Sequence, residues 1–209
     1  MKRHIKLIAV VVFAFLLLLS CSTTQTTNTW VDPSYRGSPV SSVLVIAVTK
    51  DANLRRSFEN KFVQQLKTAG VRAVSSAAEM PSDQKVEKET VLALVEKLGV
   101  DSVLVTHLVS MKEKEVGTPS ATSTQATPDD YHGGTYYESV AQAYDTSAGA
   151  QYNPTRVKVR LESKLYEVKT EKPIWSSQSK TIDPQSTMQL FDSAIAAFVK
   201  NLQQNKLLP

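Results

Sequence analysis

Val43-Leu44-Val45-Ile46-Ala47-Val48 is an unbroken apolar run in which four residues are β-branched. A run with no wet face predicts a strand buried on both sides, in a sheet covered by helices. The adjoining residues agree with that reading. Asp51 stands where a helix N-cap is wanted, and Leu54, Phe58, Phe62, Leu66 and Ala69 recur at helical spacing. Gly70 then sits where a left-handed residue ends a helix. Residues 71–75 read as a second strand, 76–86 as a polar connection, and 87–98 as a second helix with Val91, Leu94, Val95 and Leu98 on one face. Gly99 stops that helix, and residues 100–111 read as a third strand. The order β-α-β-α-β implies parallel strands joined by right-handed crossovers.

The pattern breaks at residues 112–154, which are poor in aliphatic side chains and rich in Ser, Thr, Ala, Gly and Tyr. A loop of that length is uncommon inside a compact domain, and predicts a flap or a long hairpin excursion. Beyond it, Val157, Val159, Leu161 and Leu165 alternate with Lys158, Arg160, Glu162 and Lys164, as in a strand with one wet face. Residues 173–182 form a more polar strand suited to a sheet edge. Asp183-Pro184 offers a cap and a first-turn proline to a last helix carrying Met188, Phe191, Ile195, Phe198, Val199 and Leu202. The expected fold class is therefore α/β: one mixed sheet of about five strands with helices packed on it. The expected order is β-α-β-α-β-β-β-α, with the long loop between strands three and four.

The start of the chain gives an address. Lys2, Arg3 and Lys6 precede 13 consecutive apolar residues at 7–19, and Ser20-Cys21 comes next. A span of a bilayer needs about 20 apolar residues, so this run matches the hydrophobic region of a signal peptide instead. Leu18-Leu19-Ser20-Cys21 resembles the lipobox of bacterial lipoproteins, although Leu19 is bulkier than the usual small residue. The resemblance implies cleavage before Cys21, a diacylglycerol thioether on its thiol, and an acyl chain such as palmitate on the freed amine. Two or more chains anchor stably where one does not, each buried methylene contributing about 0.8 kcal/mol. Residues 1–20 are thus expected as signal peptide, 21–28 as a polar tether reaching at most about 27 Å, and 29–209 as a single domain. Ser22 after the cysteine resembles the outer-membrane sorting signal of enteric bacteria.

Composition narrows the function. Three of the 24 basic residues lie within residues 1–20, leaving 21 basic against 20 acidic in the remainder. A nearly neutral domain implies no nucleic-acid partner. Cys21 is the lone cysteine, so no disulfide forms within the chain and the core alone must hold the fold.

Three segments together resemble a family of uncharacterised bacterial lipoproteins with a domain of unknown function. They are Thr29-Trp30-Val31-Asp32-Pro33-Ser34-Tyr35, Leu54-Arg55-Arg56-Ser57-Phe58-Glu59, and Leu165-Tyr166-Glu167-Val168-Lys169-Thr170-Glu171-Lys172-Pro173-Ile174-Trp175-Ser176. The order of elements is also similar to the N-terminal domain of the translocation protein TolB and to the curli-secretion lipoprotein. The resemblance implies an envelope setting and brings no reaction or cofactor with it.

Candidate sites are few. His107 falls in the third strand, but no neighbour in sequence supplies a nucleophile or an orienting carboxylate, and a hydrogen-bonded structural role is expected. Asp129-Asp130-Tyr131-His132 holds potential metal ligands at a spacing that matches no established site, so no metal is expected. Arg55-Arg56 reads as a solvated helix start, and Trp30 and Trp175 as core or rim. No phosphate loop or nucleophile elbow occurs. Tyr131, Tyr136, Tyr137, Tyr144 and Tyr152 crowd into the long loop, and tyrosine gives large amphipathic contact at low entropic cost. Cys21 as lipidation site and these tyrosines as weak partner or ligand contacts complete the set, with no cofactor expected. The sequence therefore predicts a lipid-anchored envelope protein, on the periplasmic face of the outer membrane, acting as a non-enzymatic binding or assembly module. A partner strand would add to the edge at Pro173–Ile182; alternatively, a small molecule or glycan would bind beneath the 112–154 loop.

Overall fold

The computed structural model describes residues 24–80, 86–113 and 157–209. Chain order is β1 (Gln25–Val31), β2 (Ser42–Val48), α1 (Ala52–Thr68), β3 (Arg72–Ser75), α2 (Ser76–Glu79), α3 (Lys88–Leu98), β4 (Ser102–Glu113), β5 (Val157–Glu167), β6 (Pro173–Ile182) and α4 (Thr187–Gln204). They form one mixed sheet in the order β1-β6-β5-β4-β2-β3. β2 pairs in parallel with β3 and β4, while β4–β5, β5–β6 and β6–β1 are antiparallel. Cys21 and the five loop tyrosines lie outside the described residues. No helix among the described residues is long and apolar enough to cross a membrane.

The apolar run at 43–48 is buried along its whole length, because helices cover the sheet on both faces there. α1 and α4 cover one face, burying Phe58, Phe62, Leu66, Ile195, Phe198 and Leu202 against Val43, Val45, Leu104, Leu165 and Trp175. Edge-to-face contacts join Phe58 to Phe191 and Trp175 to Phe198, and the Phe62 and Phe198 rings stack at 6.4 Å. Such pairs add about 0.5–1.5 kcal/mol beyond the area they bury. α3 covers the other face over the parallel strands, placing Val91, Leu94 and Val95 on Leu44, Ile46, Val103 and Val105.

The helix boundaries have local causes. Asp51 accepts the N–H groups of Asn53 and Leu54 at 2.8 and 3.0 Å, and Gly99 ends α3 at φ 56°. At the start of α4 the cap is Ser186, which accepts from Gln189 N at 3.1 Å, not Asp183. Asp183 takes φ 48°, a turn conformation three residues upstream.

β1 departs from the sequence expectation in two ways. The segment 25–28, expected as tether, is the first half of a sixth strand paired with β6. Its polar sequence suits this position, since the hydroxyls of Thr24 and Thr29 on either side of it meet a hydroxyl-rich stretch of β6. Thr29 Oγ1 lies 3.0 Å from Ser177 Oγ, and Thr24 Oγ1 lies 2.8 Å from Thr181 Oγ1 while donating to Ser193 Oγ at 2.8 Å. Consequently Pro173–Ile182 is not an edge: β6 has β5 on one side and β1 on the other.

Candidate functional site

β2 and β4 lie side by side and end at the same end of the sheet, but the chain leaves them in opposite directions. From β2 it passes through α1 to β3, and from β4 it continues towards β5 on the other side. Such a switch point opens a crevice beyond the carboxyl ends of the strands, the usual ligand position of an open α/β sheet. A pocket of about 210 Å³ lies there. Ala47, Val48 and Thr49 at the end of β2 form its floor. Leu54 and Phe58 come from the first turns of α1, Leu108 and Met111 from β4, Val159 and Leu161 from β5, and Leu190 and Phe191 from α4. Thr106, His107, Ser186 and Thr187 border it with polar atoms.

The wall chemistry favours an apolar group. At the mouth, Asp51 takes the Asn53 and Leu54 N–H groups of α1 and Ser186 takes the Gln189 N–H group of α4. Thr106 Oγ1 is hydrogen-bonded at 2.9 Å to Ser163 Oγ on β5. The volume exceeds the roughly 150 Å³ of an apolar cavity that accepts benzene. Met111 and Val159, which line the pocket, stand on either side in sequence of the 112–154 loop beneath which the sequence suggested a ligand site.

Behind this pocket stands a residue whose role the sequence did not reveal. Glu59, one turn along α1 from Arg55, is fully buried. Its Oε1 accepts Ala47 N–H at 2.9 Å and Ser76 Oγ–H at 2.8 Å; its Oε2 accepts Ser75 Oγ–H and Ala77 N–H, both at 2.7 Å. Burial pushes its carboxyl above the ordinary value, against the opposing pull of those four hydrogen bonds. One side chain thereby fastens α1 to the β3–α2 corner and to the strand end that floors the pocket. Arg55 is buried as well, correcting the expectation of a solvated Arg55-Arg56 pair, while Arg56 is exposed. The available signal was Glu59 lying at helical spacing between Arg55 and Phe62, in the middle of an apolar stripe.

His107 does meet a carboxylate, supplied across the strand pair by β5. Its Nε2 lies 3.4 Å from Glu162 Oε2, and Lys164 Nζ lies 3.7 Å from the same oxygen. Glu162 is the register partner of His107 in the β4–β5 ladder. Burial lowers the pKa of both His107 and Lys164, with Glu162 opposing it in each case. The β5 face expected to be wet is therefore graded, from exposed Lys158 through half-buried Arg160 and Glu162 to buried Lys164. Trp175 is buried with its Nε1–H donated to Asn201 Oδ1 at 2.9 Å, and Trp30 is half-buried on β1. No group of three or more potential metal ligands occurs among the described residues.

No protein-family model and no curated protein matches the sequence. Among solved structures, the chain is similar to the PelC dodecamer from Paraburkholderia phytofirmans in two crystal forms. Those alignments have TM-scores of 0.46 and 0.44 at 11% and 14% identity, covering 87% and 86% of this chain and 96% and 94% of that one. It is also similar to the lipoprotein GNA1162 from Neisseria meningitidis, with a TM-score of 0.41 and 16% identity over 78% of this chain and 99% of that one.

Proposed function

We propose that the chain is a lipid-anchored cell-envelope protein whose domain is a non-enzymatic binding module for a small apolar ligand, or for the apolar part of a larger one. The observation that carries this reading is the pocket at the β2–β4 switch point, with its aliphatic and aromatic walls and its capped helix ends. The anchor is Cys21, on the strength of the basic start, the apolar run and the lipobox-like Leu18-Leu19-Ser20-Cys21. Ser22 favours the outer membrane, with the domain on its periplasmic face. Strand addition at Pro173–Ile182 is set aside, because β1 of the same chain fills that position.

Two measurements test the proposal. Intact mass of the protein from envelope membranes should show cleavage before Cys21 and the added mass of diacylglycerol and a third acyl chain; an unmodified Cys21 contradicts the anchor. For the pocket, a Cys21→Ser chain beginning at that residue should gain unfolding stability with decanoate, by about 2.7 kcal/mol when the ligand is at a hundred times its Kd. An unchanged midpoint up to the solubility limit of decanoate contradicts the binding reading.

A further inference from the structure

The pocket and the start of β1 lie at the same end of the domain. β1 enters the sheet antiparallel to β6, with Gln25 opposite Lys180 near the β6 C-terminus. β6 runs in the same direction as β4 and β2, since two antiparallel steps separate it from β4. The first residues of β1 therefore lie at the end of the sheet where β2 and β4 finish and where the pocket is. Thr24 is already fixed there, by its hydrogen bonds to Thr181 and Ser193. From Thr24 back to Cys21 is three residues, about 10 Å at full extension. A lipid on Cys21 thus holds this end, and no other, against the bilayer.

The surface at this end has a matching character. The exposed large apolar side chains among the described residues are Leu54, Val109, Ile182 and Met188, between 36% and 42% exposed. Leu54 and Met188 are in the first turns of α1 and α4, Ile182 ends β6, and Val109 lies in the C-terminal half of β4. All four belong to the anchored end. Scattered exposed apolar residues need no explanation, but their confinement to one end does. The exposed charges there are mixed, Lys50, Arg56 and Lys158 against Asp51 and Asp183, so the attraction is apolar rather than electrostatic.

We propose that this end of the domain rests in the bilayer interface on Leu54, Ile182 and Met188, and that the pocket between α1 and α4 takes one acyl chain of a membrane phospholipid. The inference rests on the pocket binding an apolar group and on the lipid at Cys21. A bilayer phospholipid leaves all three anchor chains in the membrane, whereas an anchor chain drawn into the pocket would subtract about 0.8 kcal/mol of anchoring per methylene withdrawn.

The test uses the lipidated protein in phosphatidylethanolamine–phosphatidylglycerol vesicles carrying a phosphatidylcholine with a diazirine at the end of one acyl chain. After irradiation, adducts are expected on the peptides bearing Phe58, Met111 and Leu190. They should be lost in Thr187→Trp, which plugs the pocket mouth, and lost in the doubly substituted Ile182→Asp, Met188→Asp protein, whose two sites lie outside the pocket lining. That double variant should still bind decanoate, which shows that its fold and pocket are intact. Pocket peptides without adducts, in a protein that binds decanoate, overturn this inference and leave the ligand-binding reading standing. A protein that also fails to bind decanoate overturns both.

Discussion

Glu59 shows how one side chain can carry structural weight that hydropathy does not register. Its carboxyl satisfies two backbone N–H groups and two serine hydroxyls inside the protein. Truncation leaves these donors buried and unmet, each costing about 1–3 kcal/mol, so Glu59→Ala should lose about 3 kcal/mol or more in urea unfolding. Glu59→Gln should lose less, as its amide oxygen keeps part of the set. His107 makes a pH prediction. Its folded pKa is depressed below 6.5, so between the two values the unfolded chain binds more protons, and stability rises with pH across that window. The protein should therefore lose stability as pH falls below about 6.5. Glu59 acts in the opposite sense, since a raised pKa stabilises at low pH and the contribution is lost as pH rises through it. The His107 component is isolated by subtracting the profile of His107→Gln, which should lack it; superimposable profiles would refute the assignment. The sequence offered His107 but not Glu162, because the pairing is made by the register of two strands separated by 43 residues.

Elements were legible wherever burial imposed a period. The run at 43–48, the stripe at Phe58, Phe62 and Leu66, and the alternation from Val157 to Leu165 each report one or two buried faces, and each lies where expected. β1 was not legible, because Gln25-Thr26-Thr27-Asn28 lacks hydrophobic alternation and is held by its ladder to β6, with the hydroxyl pairs of Thr24 and Thr29 on either side of it. Polar strands of this kind look like linkers until their partner is known. The same omission misplaced the sheet edge. Deleting residues 24–31 should accordingly speed amide exchange in β6 strongly while leaving β2 protected, measured by mass spectrometry under native conditions. Equal protection of β6 in the two proteins would mean that β1 contributes nothing to the sheet.

For the whole molecule, the sequence indicated an α/β domain and an envelope address, and its alternative reading put a ligand near the long loop. It did not locate the pocket, which is assembled from β2, α1, β4, β5 and α4, with no single motif supplying its walls. The switch point supplies the position, the two aromatic helices supply the walls, and Glu59 braces the strand end beneath. The pocket so built is proposed to bind an apolar ligand. Titration calorimetry of decanoate into the Cys21→Ser chain, at several temperatures and beside Thr187→Trp, tests it most directly. Saturable one-to-one binding with a negative heat-capacity change is expected in the first protein and none in the second. No heat beyond dilution, or equal binding by the plugged variant, would contradict it.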